Sequence, residues 1–272
     1  MSRHAIRRRR LALVAALLCA AAGAVLSARA EIPLDQRRSS YADMAPDTKA
    51  MQDDDTSNPA MLSVLDGEAL WAAKTGSAGR ACADCHGDAK TGDAKTNMKG
   101  VAARYPAFDA TLKRPVNLEQ RINLCRSQHQ KGQPFAYESK DLLALTAFVA
   151  MQSRGEPIAS PDDPRLQSFR DNGRALFNAR QGQLNLTCGQ CHDDNWGKSL
   201  AGITVPQGHP TGYPIYRLEW QSLGSLQRRL RNCMIGMRAE TYPYGAQEYV
   251  NMELYLMGRA RGMKLETPAV RP

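Results

Sequence analysis

The sequence predicts an all-α protein made of two tandem helical domains, and three observations support this prediction. The chain has 272 residues, which is enough for two domains of ordinary size. Its two halves repeat one series of motifs at matching spacings. No stretch alternates between apolar and polar residues persistently enough to demand a β-sheet. The same helical unit is therefore expected twice.

The first thirty residues have the pattern of a secretory signal peptide. A basic start is followed by an apolar, alanine-rich run at 11–26 and by a small-residue cleavage site at 27–30 (SARA). Removal of residues 1–30 takes away six arginines and no acid, so 30 basic and 27 acidic residues remain, a net charge of +3. This balance is not that of a nucleic-acid-binding protein. We expect a mature protein in the periplasm, without a membrane anchor.

Two short motifs carry the most specific chemistry of the chain. They read C-x-x-C-H and are Cys82-Ala83-Asp84-Cys85-His86 and Cys188-Gly189-Gln190-Cys191-His192. Two thiols about one helical turn apart can form thioethers with one porphyrin, and the following histidine can reach its iron. Paired disulfides or zinc half-sites are the alternative, but zinc does not require a histidine directly after each second cysteine. The motifs predict two covalently bound haem c groups and cytochrome c-type domains.

The spacing around each motif repeats. Gly67 and Gly173 both lie fifteen residues before the first motif cysteine, each in a short helix for which Asp66 and Asn172 are candidate N-caps. Further downstream, three pairs stand at equal distances from the lone Cys125 and Cys233; they are Tyr105 and Tyr213, Leu118 and Leu226, and Arg121 and Arg229. Each half is thus predicted as a helix, a haem motif, a long loop, a helix with the lone cysteine and a closing helix.

The predicted boundaries follow from composition. Residues 1–30 are the signal peptide, and 31–60, which are polar and rich in turns, form an extended N-terminal arm on the surface. Domain 1 spans 61–155. The proline-rich stretch 156–164 is a linker. Domain 2 spans 165–272 and holds the second C-x-x-C-H motif.

The second axial ligand of each iron has two matched sets of candidates beyond the proximal His86 and His192. Cys125 and Cys233 form one pair, and His129 and Met237, each four residues further on, form the other. If His129 and Met237 are the ligands, Cys125 and Cys233 could form a disulfide with each other. In a third alternative, the two cysteines are buried apolar residues. A disulfide would have to join equivalent interior positions of two domains, so spacing favours thiolate ligands.

Cations gather near Cys233 in the sequence. Arg229 precedes it by four residues, one helical turn, where a guanidinium can lower a thiol pKa or hold an oxyanion. The alternative is that this arginine binds a haem propionate. The other arginines of this stretch are Arg228, Arg231 and Arg238. The second site is therefore better suited to a small anion than the first.

The chain resembles the SoxA family, the cytochrome subunits of SoxAX, an L-cysteine S-thiosulfotransferase of periplasmic sulfur oxidation. The resemblance covers nearly the whole mature chain and is carried by residues 40–44 (SYADM), 58–61 (NPAM), 67–71 (GEALW), 228–234 (RRLRNCM), 238–239 (RA) and 244–245 (YG). Because both C-x-x-C-H motifs are present, the chain is similar to the dihaem members of this family.

The resemblance implies a heterodimer with the monohaem cytochrome SoxX and transfer of thiosulfate to a cysteine of the carrier protein SoxYZ, with two electrons passing to haem. It implies that Cys233 is the distal haem ligand and the persulfide intermediate, and that Arg229 binds the substrate. It also implies that Cys125 is the distal ligand of the first haem. Two alternatives stay open: a dihaem electron-transfer cytochrome without catalysis, and a thiosulfate dehydrogenase that forms tetrathionate.

Overall fold

Helices form the frame of both halves in the computed structural model, which describes residues 32–91, 96–200 and 202–272. The first half contains α1 (Pro46–Asp53), α2 (Ala60–Ala72), α3 (Ala83–His86), α4 (Leu118–Cys125) and α5 (Lys140–Met151). The second half contains α6 (Gln167–Asn178), α7 (Cys188–His192), α8 (Leu226–Gly236) and α9 (Gln247–Arg259). Short 3-10 turns cover Leu34–Gln36, Ser40–Asp43, Ala102–Arg104 and Pro164–Leu166, and a π-helix covers Arg126–Gln130. The predicted series of helices is confirmed in both halves.

The two repeated glycines allow the longest helices to pack closely. Gly67 on α2 faces α5, where a Cβ atom would lie 2.1 Å from the carbonyl oxygen of Ala144. Gly173 on α6 faces α9, where a Cβ atom would lie 2.0 Å from the carbonyl oxygen of Asn251. Only a residue without a side chain fits at such separations. Each half therefore begins with a helix held against its closing helix.

We expect the substitution Gly67→Ala to lower the free energy of unfolding by about 3 kcal/mol, because the two helices must move apart to admit the methyl group. Thermal unfolding of the haem-loaded protein measures this. Gly236→Ala is the matched control, since no atom lies within 4 Å of its added Cβ, and alanine is the better helix former. Equal melting temperatures for the two variants would contradict the close packing.

The predicted N-caps of these helices are wrong. Helix α2 begins six residues earlier than Asp66, after Pro59, and α6 begins at Gln167, five residues before Asn172. The helices that carry the lone cysteines are capped by polar side chains instead. Asn117 accepts a hydrogen bond from the backbone of Gln120 in a capping box, and Ser225 caps α8.

Short strands make the all-α prediction only partly right. An antiparallel hairpin pairs β1 (Ala107–Asp109) with β2 (Arg114–Val116) in the first half. The second half repeats it with β5 (Ile215–Arg217) and β6 (Ser222–Gly224), and β7 (Ala269–Arg271) adds a parallel partner to β5. A further two-residue pair joins β3 (Ser199–Leu200) and β4 (Ile203–Thr204). Segments this short show no alternation that a sequence pattern could reveal.

The N-terminal segment is more ordered than the extended arm that the sequence predicts. It contains α1, and it is anchored to the C-terminal strand. The Arg271 guanidinium donates to Ser40 Oγ at 2.7 Å, and Asn58 Nδ2 donates to the carbonyl of Pro268 at 3.0 Å. Asn58 is buried. Polar residues thus hold this segment in place by hydrogen bonds, which composition alone does not indicate.

A buried carboxyl group joins the two halves. Glu253 of α9 accepts hydrogen bonds from Asn117 Nδ2 at 3.1 Å and from Gln227 Nε2 at 2.7 Å. Burial, followed by the nearby Glu119, raises the pKa of Glu253 to about 8. Its contacts connect α9 to α8 and to the N-cap of α4, and α4 and α8 are the helices that carry the two lone cysteines.

The predicted signal peptide, 1–30, lies outside the described residues. In the part of the chain that the structure describes, every helix is too short or too polar to cross a membrane. Residues 34–272 form one unit by their contacts. The predicted domain and linker boundaries stay predictions.

Candidate haem sites

The first half encloses a cavity of about 570 Å³. It is lined by the motif residues Cys82, Cys85 and His86 and by the lone Cys125. Apolar side chains of the surrounding helices complete the lining; they are Trp71, Leu118, Ile122, Leu145 and Val149. Two thiols and one imidazole thus face the same apolar space. This donor set fits a covalently attached haem with a protein ligand on each side of its iron.

The second half has a corresponding cavity of about 180 Å³. Cys188, His192 and Cys233 line it, with Arg229 beside them. Cys191 is half-buried, and its thiol pKa is raised by burial and then by Cys233, which therefore lies close to it. Both cysteines and the histidine of the second motif are thus gathered around Cys233, and they too fit a covalent haem.

The proximal histidines are oriented by backbone carbonyl groups and aromatic rings. His192 Nδ1 lies 2.6 Å from the carbonyl oxygen of Pro206, so this nitrogen donates and Nε2 keeps its lone pair for a metal. His86 has a comparable hydrogen bond with the backbone of Thr96. The ring of Trp71 lies 5.6 Å from that of His86, and Phe177, at the matching repeat position, lies 6.4 Å from His192.

Cys233 and His192 line the same cavity, and their side chains lie within electrostatic reach of each other. Burial raises the pKa of the Cys233 thiol, but the interaction with His192 and the positive charge of Arg229 lower it more. The pKa of Cys233 therefore lies below its ordinary value. A thiol and an imidazole that line one cavity are donors that could hold a haem iron between them.

Cys125 is in a different electrostatic environment. Burial raises the pKa of its thiol, and the charge of Arg121 offsets this only in part. Cys85 raises it further. The two lone cysteines thus occupy matching places in the repeat but differ in the charge around them.

The disulfide alternative is wrong for the described residues. All six cysteines from Cys82 to Cys233 are free, including Cys125 and Cys233. Each of these two lines the cavity of its own half. The same finding removes disulfides within the C-x-x-C motifs.

The other candidate ligands are less well placed. His129 is exposed on the π-helix Arg126–Gln130, so it does not continue the regular turn of α4 beyond Cys125. It lies near enough to His86 to lower the pKa of that ring, after burial. Met237 ends α8 and is buried against Met234 and Tyr249. Both residues line their cavities.

The two repeated arginines differ in their partners. Arg121 donates to the carboxylate of Asp109 at 2.7 Å. Within residues 32–91, 96–200 and 202–272, no side chain forms a hydrogen bond or ion pair with the guanidinium of Arg229. Arg229 is therefore the arginine whose charge is available to a bound anion.

The rest of the cation cluster predicted from the sequence does not converge on Cys233. Arg228 stacks on the ring of Trp220 at 4.3 Å and donates to Ser222. Arg231 donates to the carbonyl of Tyr242, and Arg238 is exposed. A cation that sequence reasoning missed, Arg217 of β5, lines the cavity instead.

Comparison with known proteins matches residues 66–158 and 172–265 to the family described as SoxA/TsdA, cytochrome c domain. The L-cysteine S-thiosulfotransferase subunit SoxA of Pseudaminobacter salicylatoxidans is 37% identical over 88% of this chain and 82% of its own length. The subunit of the same name from Rhodovulum sulfidophilum is 34% identical over 87% of this chain and 81% of its own. The crystal structure of SoxXA from P. pantotrophus superposes with a TM-score of 0.82 at 28% identity, over 87% of each chain.

Proposed function

Because the chain belongs to the SoxA family of c-type cytochromes, we propose that it oxidatively joins thiosulfate to a cysteine of the carrier protein SoxYZ. One observation carries the proposal: Cys233 and His192 line one cavity together with Arg229, an arginine without a partner among the described residues. An electron carrier needs neither a reactive sulfur nor a free cation beside its haem. The likeness to SoxXA supports a complex with the monohaem cytochrome SoxX.

The reaction balances as R–SH + S₂O₃²⁻ → R–S–S–SO₃⁻ + H⁺ + 2 e⁻, where R–SH is the carrier thiol. A sulfur–sulfur bond forms between two reduced sulfurs, and a proton and two electrons leave. The presence of both motifs supports two haem c groups, held by Cys82, Cys85, Cys188 and Cys191. Haem c supplies one-electron acceptors when it is bound.

The side chains of the second cavity have separate tasks in this proposal. Cys233 is the sulfur that carries the transferred group as a persulfide-type intermediate, and a thiolate is the form that attacks or leaves in sulfur exchange. Arg229 offsets the cost of bringing a dianion beside a buried thiolate, because its planar guanidinium can donate two hydrogen bonds to one oxyanion. Cys125 and His86 would hold the iron of a haem in the first cavity, and His192 and Cys233 that of a haem in the second.

The place of action follows from the signal peptide at 1–30. Thioether attachment of haem and the carrier reaction both belong to the periplasm in this proposal. The basic start, the apolar run and the cleavage site support export. N-terminal sequencing of the mature protein beginning after Ala30 would agree with it.

We expect the complex with SoxX to convert thiosulfate only when SoxYZ is added, and the carrier to gain one thiosulfate group at its cysteine. Mass spectrometry of the intact carrier measures the transferred thiosulfate group, and reduction of an added cytochrome measures the released electrons. Omission of the carrier is the control. Turnover without carrier, with tetrathionate as product, would contradict the transferase and favour the alternative of a thiosulfate dehydrogenase.

A further inference from the structure

Equivalent strand ends in the two halves carry opposite charges. Asp109 is the last residue of β1 and Arg217 is the last residue of β5. Both lie sixteen residues before the lone cysteine of their half. The hairpins match as well, because Asp109 pairs with Arg114 and Arg217 with Ser222, residues that are also equivalent in the repeat. An acid in the first half has thus been replaced by a base in the second.

In the first half, the acid neutralises the repeated arginine. Asp109 accepts a hydrogen bond from Arg121 at 2.7 Å and is itself fixed by the backbone amides of Thr111 and Leu112. Its side chain is only 10% exposed. An anion entering the first cavity would therefore have to compete with a carboxylate that is already in place.

In the second half, this carboxylate is absent and a second cation takes its place. Arg217 Nε donates to the backbone oxygen of Pro272 at 2.9 Å, and one terminal nitrogen lies 2.9 Å from Glu219. The Arg217 side chain is 7% exposed and that of Glu219 is 59% exposed. An ion pair with a well-hydrated carboxylate contributes little free energy. Glu219 therefore offsets the positive charge of Arg217 only weakly.

Arg217 and Arg229 act on the same space. Both line the cavity that contains Cys233. Burial and then the charge of Arg229 lower the pKa of Arg217 itself, so the two guanidinium groups lie within electrostatic reach of each other. Two like charges beside one cavity repel, and negative charge placed near both offsets this cost.

We propose that Arg217 and Arg229 together form a binding site for a doubly charged oxyanion beside Cys233, with Arg217 setting the preference for a dianion over a monoanion. This inference rests on the proposed function, in which the dianion is thiosulfate. It also gives a physical reason for catalysis at the second haem: only there has the acid opposite the repeated arginine become a base.

The test compares two anions that share a terminal sulfur, thiosulfate with two charges and methanethiosulfonate with one. Binding of each is measured by calorimetry on the haem-loaded complex without carrier. We expect Arg217→Gln to raise the thiosulfate Kd by about tenfold or more, the effect of losing one charge-assisted hydrogen bond, and to change the methanethiosulfonate Kd far less. Arg217→Lys should recover much of the thiosulfate affinity.

Arg165→Gln is the matched control, because it removes an equal charge from an exposed residue outside both cavities. Glu219→Gln should act in the opposite direction and tighten thiosulfate binding about two- to threefold, since it releases Arg217 from a surface ion pair. If Arg217→Gln loses its haem, the thiosulfate affinity of Glu219→Gln tests the inference in its place. Equal changes for both anions, or no change in Glu219→Gln, would overturn the inference. Wild-type turnover with the carrier tests the proposed function separately.

Discussion

Cys233→Ala should abolish thiosulfate transfer to the carrier, whereas Cys125→Ala should leave most of it. We expect the first substitution to lower kcat on the order of 10⁴-fold or more, as loss of an enzyme nucleophile does. The second should change kcat by no more than several-fold. Both variants should retain two covalently bound haems, because neither cysteine belongs to a C-x-x-C-H motif.

The reason for this difference is the charge around each sulfur. Cys233 shares its cavity with Arg217 and Arg229, neither of which is neutralised by a buried acid. Arg121, the counterpart of Arg229 in the first half, is paired with Asp109. We therefore expect a thiosulfate dianion to be stabilised beside Cys233, where the repeated arginine has no carboxylate partner among the described residues.

The measurement is carrier-dependent turnover together with electron paramagnetic resonance of the oxidised protein. Each substitution should remove the thiolate signal of one haem and leave that of the other. The electron-transfer alternative makes the opposite prediction, since a carrier with His129 and Met237 as ligands is indifferent to Cys233→Ala in both readouts. Full turnover in that variant would therefore exclude the transferase and retain a redox protein.

The parts of the molecule that repeat could be predicted from the sequence. The spacing of Gly67 and Gly173, of the haem motifs and of the lone cysteines was enough to indicate both helical frames, because each of these residues is held by a close contact. The N-terminal segment could not be predicted in the same way. Its position depends on hydrogen bonds such as that of Asn58 with Pro268, which join residues more than two hundred positions apart.

The charge arrangement of the second site could be predicted only in part. Arg229 stood out because it repeats Arg121. Arg228 and Arg231 looked equivalent to it in the sequence, but they point to Trp220 and Tyr242. Arg217 was missed because it lies in a three-residue strand, where no periodic pattern is visible. Arg217 could have been found in the sequence as a difference between the two halves, because the equivalent residue of the first half is the acid Asp109.

Arg229→Gln should raise the KM for thiosulfate strongly and lower kcat/KM by about 100-fold, since a charge-assisted hydrogen bond is worth up to about 3 kcal/mol. The guanidinium lies one helical turn before Cys233 and has no partner in the described chain to replace the lost contact with substrate. Glutamine keeps a polar side chain of similar reach but carries no charge. The loss should therefore appear in thiosulfate affinity rather than in folding.

Haem content separates this role from binding of a haem propionate. If Arg229 acts on the substrate, the variant keeps its haem and its absorption spectrum while turnover falls; parallel losses of haem and activity would assign it to the propionate instead. Arg121→Gln is the matched control, because it removes the same charge at the equivalent position of the first half, where the partner is Asp109. Turnover near the wild-type level in that control, with a large loss in Arg229→Gln, would show that one of two equivalent helices has been adapted to an anion.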